Sequence, residues 1–274
     1  MPTIAEQLAQ LAQIKSDIKD AIEAKGETVG SDALSTYATH IANISSGGSD
    51  TLNEFFLNTL TELVIPEGVT SLPQGFAQSK TALTSATFPN SLTTIPQNML
   101  NGCTNMASIT LGNAVTKIEN NAFLSTKYIT SITLPDTITS IGGSVFNGCS
   151  RLVSIKFPSL ITNVQSQVCY NCTSMTTIDI DAAATTIGNN AFTGCIACNT
   201  LICRATTPPT VQSATFGSSS TTYTGCRATG TKKLYVPQGC STAYNTSYWA
   251  SVLLDSTKCG FAIAELDANG NIPT

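Results

Sequence analysis

The chain reads as an α+β repeat protein: a solenoid of 23-residue coils with parallel β-strands, preceded by a short α-helical N-terminal segment. Three observations carry that reading. Apolar residues recur at Ile65, Phe88, Leu111, Leu134, Phe157, Ile180 and Cys203, each 23 residues after the last. A fixed period of this length marks a solenoid, where each repeat is one supersecondary unit stacked on the next. Just before each of those positions apolar and polar residues alternate, as in a half-buried strand. Upstream, the apolar residues come at threes and fours instead, the spacing of an amphipathic helix.

The helical segment covers residues 1–44. Ile4, Leu8, Leu11, Ile14, Ile18 and Ile22 fall on one face until Gly26 and Gly30 break the pattern. Ser31 is placed to cap a second helix bearing Leu34, Tyr37, Ile41 and Ile44, its hydroxyl accepting from an orphaned N–H. Stripes this narrow cannot build a core, so the helices need a partner; Leu11, Ile14, Ile18 and Ala21 suit a weak a/d seam between copies of the chain. A simple hairpin packed on the solenoid is the plainer alternative. Residues 45–54, opening SSGGSD, read as a flexible linker.

The solenoid occupies residues 55–205. Leu63, Ala86, Ile109, Ile132, Ile155, Ile178 and Leu201 stand two residues before the marker positions. Val69, Leu92, Val115, Ile138, Ile161 and Ala184 come four after, and Leu72, Ile95, Ile118, Ile141, Val164 and Ile187 seven after. Two further columns hold Ala77, Leu100, Phe123, Phe146, Cys169 and Phe192, then Leu83, Met106, Ile129, Leu152, Met175 and Cys198. Pro66, Pro89, Pro135 and Pro158 end the strand of their coils, because proline has no N–H to give a ladder. The strand recurs in the same direction in every coil, so neighbours pair in parallel, about 4.8 Å apart. Each covered Ile, Leu or Phe stabilises by roughly 1.5–3 kcal/mol. Ordering each residue costs about 1–2 kcal/mol, so a stack of several coils is needed. After Leu201 the text ICRATTPPTV leaves the pattern, and residues 206–274 are read as a C-terminal capping region.

Charged residues make up 11% of the chain, against about 25% in an average soluble domain. Ser, Thr and Asn supply the polar surface. A net charge of −4 without basic clusters in the sequence gives no footprint for nucleic acid or anionic membrane, and no stretch is long and apolar enough to insert into a bilayer. The N-terminus lacks a cationic start followed by an apolar run, so no secretory signal is expected.

Cysteine is abundant, with ten residues. Cys103, Cys149, Cys172 and Cys195 share one repeat position. Cys169-x-x-Cys172 and Cys195-x-x-Cys198 have the spacing of a zinc site. The alternative is that register puts them inside, as small buried hydrophobes, and no cofactor is expected. Cys203, Cys226, Cys240 and Cys259 fall outside that ladder, and a disulfide among them cannot be assigned. The single histidine, His40, lies on the second helix and reads as a solvated residue. Asp179 and Asp181 point to one strand face, a conceivable carboxylate pair but one without a cleft, and are read as an exposed acidic spot. DANGN at 267–271 starts like a calcium loop, yet the sequence stops before a twelfth-position Glu, so it reads as a turn. The outward strand column, Val64, Thr87, Thr110, Thr133, Lys156 and Asp179, runs beside Ser85, Ser108, Ser131, Ser154 and Thr177. Such residues suit a pleated solvent face in any case. They also offer hydrogen bonds to a protein or carbohydrate, and Thr87, Thr110, Thr133, Lys156 and Asp179 are the candidate binding residues.

The text ITSITLPDTITSIGGSVFNGC, matched by MTTIDIDAAATTIGNNAFTGC, resembles the BspA-like class of bacterial leucine-rich repeats, over roughly residues 60–255. The tail KKLYVPQGCSTAYNTSYWASVLL looks like that family's closing strand and short helix. Gly112 and Asp181 depart from the pattern where other coils have proline. The helical text of the first 44 residues resembles N-terminal regions of bacteriophage tail and fibre proteins. Together these resemblances imply a non-enzymatic virion structural protein, a tail fibre or similar appendage assembled in the host cytoplasm. Its N-terminal helices would join phage tail or baseplate proteins, and its solenoid would meet a host surface protein or carbohydrate, the whole as a homo-oligomer if the seam forms. The alternative is a BspA-like adhesin on the bacterial cell surface or secreted from it; a polysaccharide hydrolase would rest on Asp179 and Asp181 alone.

Overall fold

Every repeat of the alternating text except that at residues 131–133 folds as a very short strand, and the strands line up coil upon coil. The computed structural model describes residues 60–212, 214–217, 231–246, 249–254 and 259–273. The helices expected over 1–44, the linker 45–54 and His40 lie outside the described residues.

Every coil has three sides. On the first are β1 (Glu62–Val64), β2 (Ser85–Thr87), β4 (Ser108–Thr110), β7 (Ser154–Lys156), β9 (Thr177–Ile180), β11 (Thr200–Cys203), β13 (Lys233–Val236) and β14 (Ala262–Glu265). On the second are β3 (Thr94–Ile95), β5 (Lys117–Ile118), β6 (Ser140–Ile141), β8 (Asn163–Val164), β10 (Thr186–Ile187) and β12 (Thr210–Val211). All pair in parallel, with Leu63, Ala86 and Ile109 in one register and Ile155, Ile178, Leu201 and Leu234 in another. Between the two sides each coil turns with an N–H to C=O bond over the proline position: Val69 to Pro66, Leu92 to Pro89, Ile138 to Pro135 and Ile161 to Pro158. Gly112 and Asp181 hold the same turn. At Gly112 a Cβ would stand 2.1 Å from the Pro89 carbonyl oxygen, so the departure from proline is itself a requirement of close approach.

The third side has no strands among the described residues. It is a column of turns whose N–H groups reach the next coil, as from Asn98 to Asn120, Leu100 to Ala122, Phe146 to Val168 and Cys169 to Ala191. Two positions per coil take left-handed backbone there. Asn98, Asn121, Ser144, Gln167 and Asn190 form one set, and Ser79, Ser125 and Asn171 the other, with φ between 56° and 61°. Asn and Ser tolerate that region through short polar side chains, and Gly102 and Gly148 fill the alternate coils of the second set.

The inward columns meet in one core. Phe123 and Phe146 stack with ring centroids 5.7 Å apart. Cys169 interrupts the ring column, so Phe192 packs edge-on against Phe157 at 6.3 Å and stacks on Phe216 at 5.5 Å. A further buried column, Met99, Ala122, Val145, Val168 and Ala191, also lines the core. Leu72, expected inside, is only partly buried against the core.

Two features depart from the expected regularity. Coil register continues past residue 205: β12 pairs with β10, Thr186 opposite Thr210, so this coil is one residue longer, and Phe192 N–H still reaches Thr215. β13 and β14 then extend the first side, and α1 (Ser241–Thr246) packs inward through Tyr244, whose hydroxyl donates to the Ala205 carbonyl at 2.7 Å. Trp249 lies edge-on to Tyr244 and donates to the Pro209 carbonyl at 2.7 Å. Among the described residues α1 is the one α-helix. The second departure is in mid-stack. Among the described residues no backbone hydrogen bond joins Ser131, Ile132 or Thr133 to a neighbouring coil, and β6 does not pair with β8. The turn side carries the stack through this interruption, with Ser144 to Ser166 and Gly148 to Tyr170 in place.

Candidate functional site

Strand alternation decides which side chains the first side shows to solvent. Ser108 and Thr110 are exposed with Ile109 buried between them, and Ser154 and Lys156 flank a buried Ile155 in the same way. Ser131 and Thr133 are also exposed although their segment is unpaired. Thr87 is half-buried. Of the five candidate residues, Thr110, Thr133 and Lys156 therefore form an open row, Thr87 its margin.

Asp179 is corrected by the structure. It is buried at 9% exposure, not part of an exposed acidic spot. Arg204 grips it through a fork, Nε to Oδ1 at 2.9 Å and Nη2 to Oδ2 at 2.8 Å. The remaining Arg204 nitrogen, Nη1, donates to the Gly270 carbonyl at 2.7 Å, tying the turn at 267–271 over this end of the face. That turn is closed by Asp267, whose Oδ1 accepts from the Asn269 and Asn271 N–H groups. The hydrogen bonds to Asp179 raise the Arg204 guanidinium above its ordinary range. Asp181 turns back to accept from the Ala182 N–H at 2.6 Å. The two carboxylates are thus engaged separately. Arg204 itself went unread in the sequence, because it comes one residue after the strand, just where the period slips.

The cysteine column is a second ladder, turned inward. Each thiol donates to a carbonyl of the preceding coil: Cys103 to Ala77 at 2.9 Å, Cys172 to Phe146 at 3.0 Å, Cys195 to Cys169 at 3.2 Å. Where the column has Thr126 in place of Cys, its hydroxyl donates to Phe123 within the coil and touches the Cys149 sulfur. Burial pushes the Cys103 thiol up to about 11, and those of Cys149, Cys172 and Cys195 well above the usual thiol range. Burial in apolar surroundings favours the neutral thiol over the thiolate. Cys203, also raised by burial to about 11, has its sulfur 3.2 Å from the Tyr244 hydroxyl. Cys226 lies outside the described residues. Among the described residues no three His, Cys, Asp or Glu side chains converge on a metal position.

Known proteins resemble the chain in the repeats. A family model described as the BspA type leucine rich repeat region matches residues 74–199 and 116–232, in six copies. The leucine rich repeat protein of T. pallidum (TpLRR) is 23% identical, over 52% of this chain and 68% of that one, with a TM-score of 0.49. A leucine-rich repeat protein from Eubacterium ventriosum is 19% identical at a TM-score of 0.46, covering 56% of this chain. The pneumococcal vaccine antigen PcpA is 15% identical at 0.45, covering 77%. The matched region spans 50% of the Eubacterium protein and 42% of the pneumococcal one. No curated protein matches the sequence.

Proposed function

Starting from the fact that the chain belongs to the BspA-type leucine-rich-repeat family, we propose that it works by contact, as a non-enzymatic adhesin displayed on or secreted from a bacterial cell. One observation carries the reading. The central coils present an open row of side chains, Ser108, Thr110, Ser131, Thr133, Ser154 and Lys156, on a stack whose Asp179 carboxylate and Cys172 thiol are engaged internally. A flat hydroxyl row supplies donors and acceptors over a large area without a cleft, the arrangement of a binding surface rather than of a catalytic centre.

The test is cosedimentation of the purified full chain with a panel of bacterial and animal cells, beside a variant carrying Thr110→Arg and Thr133→Arg. Retention of the parent and its loss in the variant, at equal melting temperature, is the expected result. Cleavage of surface polysaccharide by the pure protein would replace the contact reading with a hydrolytic one.

A second reading, a bacteriophage tail appendage, is favoured by the amphipathic text of residues 1–44 and the glycine-serine linker after it, which suit attachment to a particle. Mass spectrometry of purified virions decides it: the protein in the particle supports it, consistent absence removes it.

A further inference from the structure

The contact reading gives no partner chemistry, but two adjacent rows of the stack do. Resting on that reading, we propose that residues 127–133 and 150–156 bind a carboxylate-bearing polysaccharide. Tyr128 and Arg151 hold the same repeat position on successive coils, and the Arg151 guanidinium lies 4.0 Å over the Tyr128 ring centroid. The ring is 43% exposed, as is the neighbouring Val153. Lys127 and Lys156 are exposed at opposite ends of the two rows, and neither row contains an acidic residue. The chain's net charge is −4, yet these two rows carry three cations and no carboxylate.

The recognition chemistry is set by those groups. A guanidinium already ordered on an aromatic ring keeps its donor edge for a planar carboxylate, which it binds in bidentate fashion. Val153 and the part of Tyr128 that Arg151 leaves uncovered offer apolar surface to a sugar. Ser131, Thr133 and Ser154 offer exposed hydroxyls. From Ile129 to Thr133 the row spans roughly 13 Å when extended, room for a short run of linked sugars. A peptide cannot slip between the coils as an added strand, because Ile132 still packs on the core and Val153 N–H still reaches Thr130 at 3.0 Å. The ligand must therefore lie across the side chains, where rings and hydroxyls count for more than a strand edge.

The experiment measures binding of the full chain to immobilised polygalacturonate, neutral dextran and polyglutamate, with Tyr128→Ala and Arg151→Gln beside the parent. Expected are binding to polygalacturonate that weakens with added salt, little retention on dextran, and loss of about tenfold in affinity for Arg151→Gln at an unchanged melting temperature. Parent-like binding by both variants, equal retention on dextran, or tighter binding to polyglutamate would each overturn the proposal, the last by pointing to an acidic protein. If cells retain the parent and Arg151→Gln alike while polygalacturonate retains neither, this inference falls and the contact reading stands. If neither cells nor polygalacturonate retain the parent, both fall.

Discussion

From Ser108 to Lys156 the outer positions of the first side are open to solvent, whereas at Asp179 and Ile202, on the next two coils, the same positions are closed. Both regions carry the same inward ladder of Ile, Phe and Cys, yet Thr110, Thr133 and Lys156 are exposed while Asp179 and Ile202 are buried. The difference lies in the next coil along the chain. A central coil is succeeded by another like it, which covers the core and leaves the outer row bare. The coil of Asp179 is succeeded by one whose period slips, bringing Arg204 across the row and the 267–271 turn after it. An inward position is fixed by its repeat neighbours, an outward one by whatever the chain next lays over it.

The largest break in this comparison comes from the inside. Ile141→Asp puts a charge among apolar columns at a cost of several kcal/mol, on the order of 4 or more, and should abolish cooperative thermal unfolding followed by circular dichroism. Trp249→Ala opens the closed end and should cost about 3–5 kcal/mol in denaturant unfolding. Next comes Arg204→Ala. It leaves Asp179 buried without its fork, and because the pair keeps some solvent the loss should be roughly 2 kcal/mol, below the range for a fully buried pair. Adding Asp179→Asn to that variant should recover part of it, measured as a double-mutant cycle.

Alkali sharpens the comparison for the thiol ladder. Cys103 and Cys203 have folded values of about 11 against an ordinary 9.0. Raised folded values mean that the unfolded chain ionises first, so stability is complete below pH 9 and falls as pH climbs towards 11. At pH 9 each such thiol should cost about 0.4 kcal/mol. A melting temperature that holds steady from pH 8 to 10 would contradict buried, protonated sulfurs. The smallest effect belongs to the open row: Thr133→Ala should change stability by no more than about 0.5 kcal/mol.

The inward columns were legible because each coil packs on the next at the same positions, as Ile109 on Ala86 and Ile155 on Ile178; the strand at residues 131–133, read from the same alternation, is missing. The turn side was harder to read. Its left-handed positions accept Asn, Ser, Gln or Gly, and its buried column runs from Ala to Met, so no one residue type holds through a whole column. On the candidate face, Thr110, Thr133 and Lys156 followed from alternation. Asp179 did not, because its partner Arg204 and the Gly270 carbonyl come from outside the period. Tyr128 and Arg151 were invisible for a related reason: their meeting is a property of two adjacent coils, and neither residue recurs in its column.

Amide hydrogen exchange resolved residue by residue reads the open and closed regions together. The amides of Ser131, Ile132 and Thr133 should exchange orders of magnitude faster than those of Ile178, Asp179 and Ile202, which lie in strands paired on both sides. Equal protection across the two stretches would show a sheet continuous through the middle coil and contradict the account of an open face there.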